Sequence, residues 1–299
     1  MERSLESPLF TKQVVKAMQT LYPEELADKA WDNVGLLQEN INPASGTVSP
    51  RVLLTNDLTI RVAEEAIKKQ ASVIVSYHPF IFRGLKSVTL GDPQQRIVLR
   101  LAQHNIAVYS PHTAADAVLG GVNDWLVSIL QKLCVAGEVT VVQPIKGGPT
   151  MPQGFEGAGY GRRVQLTYET DLESILQVYC MELGMKHVMV SRPKTGGPVT
   201  HISSVAVCAG SGYEVLKDTD ADLIVTGEMS HHNALRLKML GKSVLTVFHS
   251  NSERGFLKQV LQPQLQARLK KENQAAEVLV SDEDEDPFEI WEAEELVGV

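Results

Sequence analysis

Four side chains in this sequence have the types needed to share a metal ion: His78, Asp116, His249 and Glu253. Neutral imidazole and carboxylate together are the usual donors to zinc, manganese and iron. Their spacing adds to the case. His112 precedes Asp116 by four residues, and His249 precedes Glu253 by four. Of eight histidines, five (His78, His112, His231, His232 and His249) directly follow runs that read as strands, whereas His104, His187 and His201 lie elsewhere. In open parallel sheets, ligands collect beyond the carboxyl ends of the strands, so those five should gather on one rim.

Each candidate also has a purely structural reading. Pro79 disfavours the α region for His78 and holds it extended, which aims the ring; a histidine there can equally cap the sheet by bonding to backbone. The run Ser250-Asn251-Ser252-Glu253 fits a capping box, in which the glutamate bonds back to the helix cap. Thr113 could cap a helix containing Asp116, an acid favoured by the helix dipole. Glu228, His231 and His232 stand together at another strand end, and adjacent helical residues diverge, so at most one of the two histidines should face the site. Their expected role is to touch a substrate or to back a ligand, with helix capping and surface exposure as an equal alternative.

Three turns complete the set. Residues 209–212 (AGSG) could offer backbone N–H groups to a phosphate, although no GxxxxGK[ST] motif is present and GSG also makes an ordinary turn. Asn56-Asp57 holds the matching place in the first half and either faces the cleft or caps the next helix near Thr59. The turn at residues 31–36, with Trp31 as an apolar anchor, reads as structural.

The elements that must carry these residues follow from periodicity. β-branched runs at 52–55, 72–76, 106–109, 139–142, 164–168, 187–190, 204–208, 222–226 and 243–248 read as strands. Helical stretches are expected at 10–21, 60–69, 94–104, 122–133, 172–183, 213–217, 231–239 and 252–261. Glycine- and proline-rich residues 146–161 and 190–200 read as loops. Alternating strands and helices predict an α/β fold. The halves also repeat: VLLTNDLT, SVIVSYHP and IAVYSPHTAAD in the first, VAVCAGSG, DLIVTGEMSHH and SVLTVFHSNSE in the second. We therefore expect two related α/β lobes with mixed, largely parallel sheets and the metal site in the cleft between them. The expected segments are residues 1–145 (first lobe), 146–200 (connecting strand-helix-strand) and 201–299 (second lobe).

Composition narrows the function. The chain has 299 residues, is 43% hydrophobic, and has a formal net charge of -8, which disfavours a surface for nucleic-acid phosphates. No apolar run approaches the ~20 residues needed to span a bilayer, and the N-terminus lacks the apolar core of a secretory signal. Three widely spaced cysteines without a CxxC read as reduced core thiols. A cytoplasmic protein is expected, with nuclear or mitochondrial pools as further options.

Taken in order, the motifs WDNVGLL (31–37), TNDLT (55–59), SYHPFIF (76–82), SPHTAAD (110–116), CAGSG (208–212), TGEMSHH (226–232), HSNSERGFL (249–257) and VLVSDEDEDPFE (278–289) resemble the NGG-one-interacting factor three-like family, also described as GTP cyclohydrolase type-two homologues. The resemblance covers nearly the whole chain. It implies a site for two divalent metal ions (zinc, manganese or iron) in a toroidal homohexamer, with ligands at His78, Asp116, His249 and Glu253. Many members carry two consecutive histidines before the proline, where this chain has Tyr77, so Tyr77, His112 or water would complete the site. It also implies a final strand and ordered turn around 278–288, with 292–299 loose, and no inserted middle domain.

Two functions fit these expectations. One is a metal-dependent hydrolase of a small nucleotide- or phosphate-containing substrate, GTP ring-opening or phosphoester hydrolysis being versions of it, with His231 or His232 as general acid or base. The other is a non-enzymatic interaction protein, such as a transcription cofactor or metal-handling chaperone, in which the metal is structural or cargo and the partner is a protein.

Overall fold

A computed structural model describes residues 5–43, 46–145, 151–193 and 200–291. Parts of the two expected loops (146–150 and 194–199) and the expected loose end (292–299) lie outside the described residues. Among the described residues the strands are β1 (Gly35–Gln38), β2 (Arg51–Thr55), β3 (Val73–Ser76), β4 (Ala107–Ser110), β5 (Ala136–Pro144), β6 (Gly159–Asp171), β7 (Met189–Ser191), β8 (His201–Cys208), β9 (Leu223–Thr226), β10 (Ser243–Thr246) and β11 (Glu277–Val280). They form two mixed sheets, as expected of an α/β fold. The first has the order β1-β4-β3-β2-β11, and the second β5-β6-β8-β9-β10-β7.

The repeated sequence pattern becomes a repeated parallel core. In the first sheet β2, β3 and β4 run parallel, with Thr55 level with Ser76. In the second, β8, β9 and β10 do the same, with Cys208 level with Thr226 and Thr226 level with Thr246. The loops that follow these levelled ends therefore leave each sheet at one rim. Antiparallel strands extend the edges: β1 in the first sheet, and β5, β6 and β7 in the second.

Sheet membership cuts across the three expected segments. β5 precedes residue 145 yet lies in the second sheet, and so do β6 and β7 from the expected connector. At the other end, β11 returns to pair in parallel with β2 of the first sheet. The chain thus closes on itself, which places the acidic residues after β11 close to the loop after β2.

Strand alternation sorts side chains between layers. Val52 and Leu54 of β2 and Val73 and Val75 of β3 join one large core with Val205, Val207, Leu223 and Val225 of the second sheet. The intervening Leu53, Ile74 and Val108 face the other way, against the helices Ile60–Lys68 and Pro93–Gln103. Ala206, Ile224 and Val244 do likewise against the helix His231–Met239. Strands buried on both faces read as continuous apolar runs, which is why periodicity located them. Helix starts are marked as local chemistry requires: Thr59, Asp92, Asp171 and Ser230 each accept an N–H of the first turn.

Several elements depart from expectation: β6 begins at Gly159, inside the stretch read as a loop, and the helix expected over 122–133 turns 3₁₀ after Ser128. β1 occupies part of the stretch read as a turn, starting at Gly35 with φ +101°. The helix expected to stop at residue 261 passes through a π turn (Leu257–Leu261) and continues as Gln262–Glu272. Pro263 lacks the N–H that a regular α-helix needs, and the wider turn accommodates it. No helix among the described residues is long and apolar enough to cross a membrane.

Candidate metal centre

His78 lies two residues beyond β3 and His249 three beyond β10, so the two imidazoles reach toward each other from different sheets. Their Nε2 atoms are 3.3 Å apart. Glu253, 2% exposed, places one carboxylate oxygen 3.4 Å from His78 Nε2 and the other 3.4 Å from His249 Nε2. These three residues form a group able to hold a metal ion. Donors about 2.1 Å from a tetrahedral ion stand about 3.4 Å from one another, so the spacing is close to what such an ion needs, with Glu253 meeting the two imidazoles through different oxygens.

Each imidazole is backed by an acid. His78 Nδ1 is 2.9 Å from Asp57 Oδ1, and His249 Nδ1 is 3.1 Å from Glu228 Oε1, itself held by Ser211 Oγ at 2.6 Å. Such a carboxylate fixes the tautomer and leaves Nε2 free to donate its lone pair. Asn56 Nδ2 donates to Glu253 Oε2 at 3.0 Å, while its buried Oδ1 finds no hydrogen-bond partner among the described residues. That orphaned acceptor is a second sign that the cluster is arranged around a cation.

The electrostatics agree. Burial works against a charged His78, but Glu253 and Asp57 outweigh it and push its pKa up to about 11. Burial would raise Glu253, yet His78, His249 and Asn56 hold its carboxyl below the ordinary range. The two lone pairs at Nε2 and the carboxylate together stabilise positive charge at one point, whether a proton or a metal ion supplies it.

The backbone is shaped to allow this approach. Gly210 has φ +61°, and a Cβ there would stand 2.8 Å from Glu253 Oε1 and 3.0 Å from His249 Nε2. The AGSG turn therefore serves close packing against the cluster. Three of its four N–H groups are already engaged, Ala209 with Asn123 Oδ1, Gly210 with Ser252 Oγ and Gly212 with Thr226 Oγ1, which argues against the phosphate-loop reading. The capping box at 250–253 is not formed either. Residues Ser250–Ser252 make a 3₁₀ turn without a side-chain cap, and the Glu253 carboxylate points to the histidines instead. His112 (φ +31°) and Phe248 (φ +63°) occupy the left-handed region where the chain leaves β4 and β10, a strain typical of functional turns.

The remaining candidates fall into two groups. Asp116 is half-buried beside the cluster, and its carboxylate accepts a hydrogen bond from the Tyr77 phenol. Burial raises its pKa to about 6 despite the opposing influence of His112 and Tyr77. His112 is 12% exposed in its side chain and is paired through Nδ1 with Asp32 at 2.7 Å; its ring stands 5.2 Å from that of His78. Asp32 also accepts from Thr113, so Thr113 braces this pair and does not cap a helix. His231 and His232 are exposed on their helix and meet edge to face at 5.2 Å. Sequence reasoning missed Asp32, set in a turn taken as structural, and did not see Asn56 as the donor to Glu253.

The family profile described as Duf34/NIF3 (NGG1p interacting factor 3) matches residues 10–287. A Schizosaccharomyces pombe protein named Protein NIF3 homolog is 46% identical over 282 residues, covering 93% of this chain and 97% of that relative. The chain belongs to the NIF3 family. NGG1-interacting factor 3 of Saccharomyces cerevisiae is 39% identical over 288 residues, covering 93% and 96%. The fold of this NIF3 chain also matches the crystal structure of a Bacillus cereus protein related to NIF3, with a TM-score of 0.78 at 21% identity, covering 94% and 98%.

Proposed function

We propose that the protein is a metal-dependent hydrolase of a small nucleotide- or phosphate-containing molecule, with one divalent ion held by His78, His249 and Glu253. The observation that carries this reading is the meeting of two acid-backed imidazoles and a buried carboxylate at ligand spacing. A structural zinc site closes with four protein donors, whereas three leave a position for substrate. An ion bound there would supply Lewis acidity to a phosphoryl or carbonyl oxygen. Asp116, with its pKa near 6, can take or return a proton close to neutral pH.

A second ion belongs beside Asp116 on this reading. The Tyr77 phenol now holds that carboxylate, so the second position is the weaker one. We place the active form in a homohexamer, a reading supported by the exposed apolar face of Met189, Val190, Leu235, Met239 and Leu240.

The test is turnover of a panel of nucleotides and phosphoesters by metal-loaded protein, alongside His249→Ala. Chelator-sensitive hydrolysis that His249→Ala abolishes is the expected result. Stoichiometric metal with no turnover of any panel member would remove the hydrolase reading and leave the metal site.

A further inference from the structure

Trp31 was expected to anchor a turn, yet its side chain faces solvent: the residue is 51% exposed, and Phe82 beside it is 45% exposed. Their ring centroids are 5.9 Å apart, and the edge of His112 meets the indole at 5.6 Å. His112 in turn lies 5.2 Å from His78. A line of rings thus leads from the metal cluster outward to an open aromatic pair.

The mounting of this pair is rigid. Trp31 Nε1 donates to Asp28 Oδ2 at 2.9 Å, which fixes the indole plane. Asp28 N donates to Thr113 Oγ1 at 3.0 Å, and Asp32 holds both His112 Nδ1 and Thr113. Asn33 Nδ2 donates to the carbonyl of Ile81, tying the same loop to the segment that carries Phe82. Here one hydrogen bond to Asp28 holds the indole, bonds of Asp28, Asp32 and Asn33 hold its loop, and half of the residue's surface stays open; holding a ring in place beforehand lowers the ordering cost of binding.

We propose that Trp31 and Phe82 form a stacking platform for the planar ring of a nucleobase, whose phosphate end reaches the metal cluster. This rests on the hydrolase reading and names its substrate class as nucleotides. An aromatic face beside a polar site accepts any base, because every base offers a π face. Trp31 and His78 both border His112, at centroid distances of 5.6 and 5.2 Å, and a nucleotide likewise carries its base and its phosphate on either end of a sugar.

The experiment uses Trp291→Phe protein, since Trp125 is buried and Trp31 is then the exposed indole among the described residues. Quenching of its fluorescence is titrated with adenosine monophosphate, guanosine monophosphate and ribose 5-phosphate, with and without chelator. Both nucleotides should bind at least tenfold more tightly than ribose 5-phosphate. Trp31→Leu, followed by calorimetry and checked for native melting, should lose that advantage, and Trp31→Phe should keep it within about threefold. Phe82→Ala serves as the second variant and should weaken nucleotides without altering ribose 5-phosphate. Equal affinity for the three ligands, or nucleotide binding unaffected by both Trp31→Leu and Phe82→Ala, overturns the platform. So does a shift in oligomeric state on Trp31→Leu without nucleotide binding to the parent, which would make the pair a contact between copies. Failure of the metal reading looks different: ribose 5-phosphate ignores the chelator while the preference for a base persists.

Discussion

Replacing Glu253 by Gln removes one negative charge from the point where His78 and His249 meet, with almost no change in volume. Asn56 Nδ2 can still donate to the amide oxygen. In metal-free protein the effect falls on His78, whose pKa of about 11 depends largely on Glu253. A histidine raised above its unfolded value of about 6.5 adds stability that is complete below that pH and is lost as the pH climbs toward the folded value. Metal-free wild type should therefore weaken steadily from about pH 6.5 toward 11, and Glu253→Gln should be much flatter over that window. Removing one member of a buried ion pair costs about 3–5 kcal/mol. The retained hydrogen bond to Asn56 places this variant near the lower end, about 3 kcal/mol at pH 6.5.

Metal changes the comparison. An ion at a hundred times its Kd adds about 2.7 kcal/mol to a protein that binds it only when folded, and the variant should lack that increment. The measurement is denaturant unfolding across the pH window, with and without chelator, together with elemental analysis of both proteins. Wild-type metal stoichiometry and affinity in Glu253→Gln would show that Glu253 is not a ligand. Equal pH slopes for the two metal-free proteins would refute the charge coupling between Glu253 and His78.

Three other perturbations follow from the same geometry. Tyr77→His frees Asp116 from the phenol and adds a donor, so bound metal should rise toward two equivalents by elemental analysis. Gly210→Ala combines a left-handed backbone with a Cβ pressed against Glu253 and His249; it should cost more than about 1 kcal/mol in unfolding experiments and lower metal affinity in titrations. Arg162, 1% exposed, bonds Asp124 and the carbonyls of Gly159, Gly161, Ala117 and Val118; Arg162→Ala should cost about 3–5 kcal/mol by chemical denaturation, and Lys should rescue little because it lacks the planar fork.

The parallel strands were legible because burial on both faces leaves uninterrupted β-branched runs, and their helices because the stretches between them carry apolar residues at helical period. The histidines were legible for a topological reason: a side chain that follows a parallel strand must emerge at its carboxyl rim. What stayed hidden depends on distant pairing. Nothing near residues 277–280 announces β2 as their partner, yet that pairing lets Asp284 accept the backbone N–H of Asn56 at 2.8 Å, beneath the residue that bonds Glu253. Local motifs could also mislead. Ser250–Glu253 has the letters of a capping box, but a carboxylate facing two imidazoles gains more from them than from a single exposed backbone N–H.

The repeat between the halves explains how one centre arises from two similar lobes. Superposing the sequence halves sets His112 against His249, Asp116 against Glu253 and His78 against Glu228. Equivalent positions have therefore diverged in role. In the second lobe the histidine-acid pair His249 and Glu253 points into the cluster, and Glu228 backs it. In the first lobe the position matching Glu228 holds His78, which enters the cluster itself, while His112 turns to Asp32 and Asp116 to Tyr77. A fully symmetric arrangement would crowd two carboxylates and one histidine from each lobe around one cavity, and like charges at that distance would raise one another's pKa values. Exchanging an acid for an imidazole at position 78 removes that conflict and supplies the third donor from the opposite sheet. The centre is thus asymmetric by chemistry on a repeated core of three parallel strands, and the first lobe's displaced pair, His112 with Asp32, is left beside Trp31 at the outer end of the line of rings.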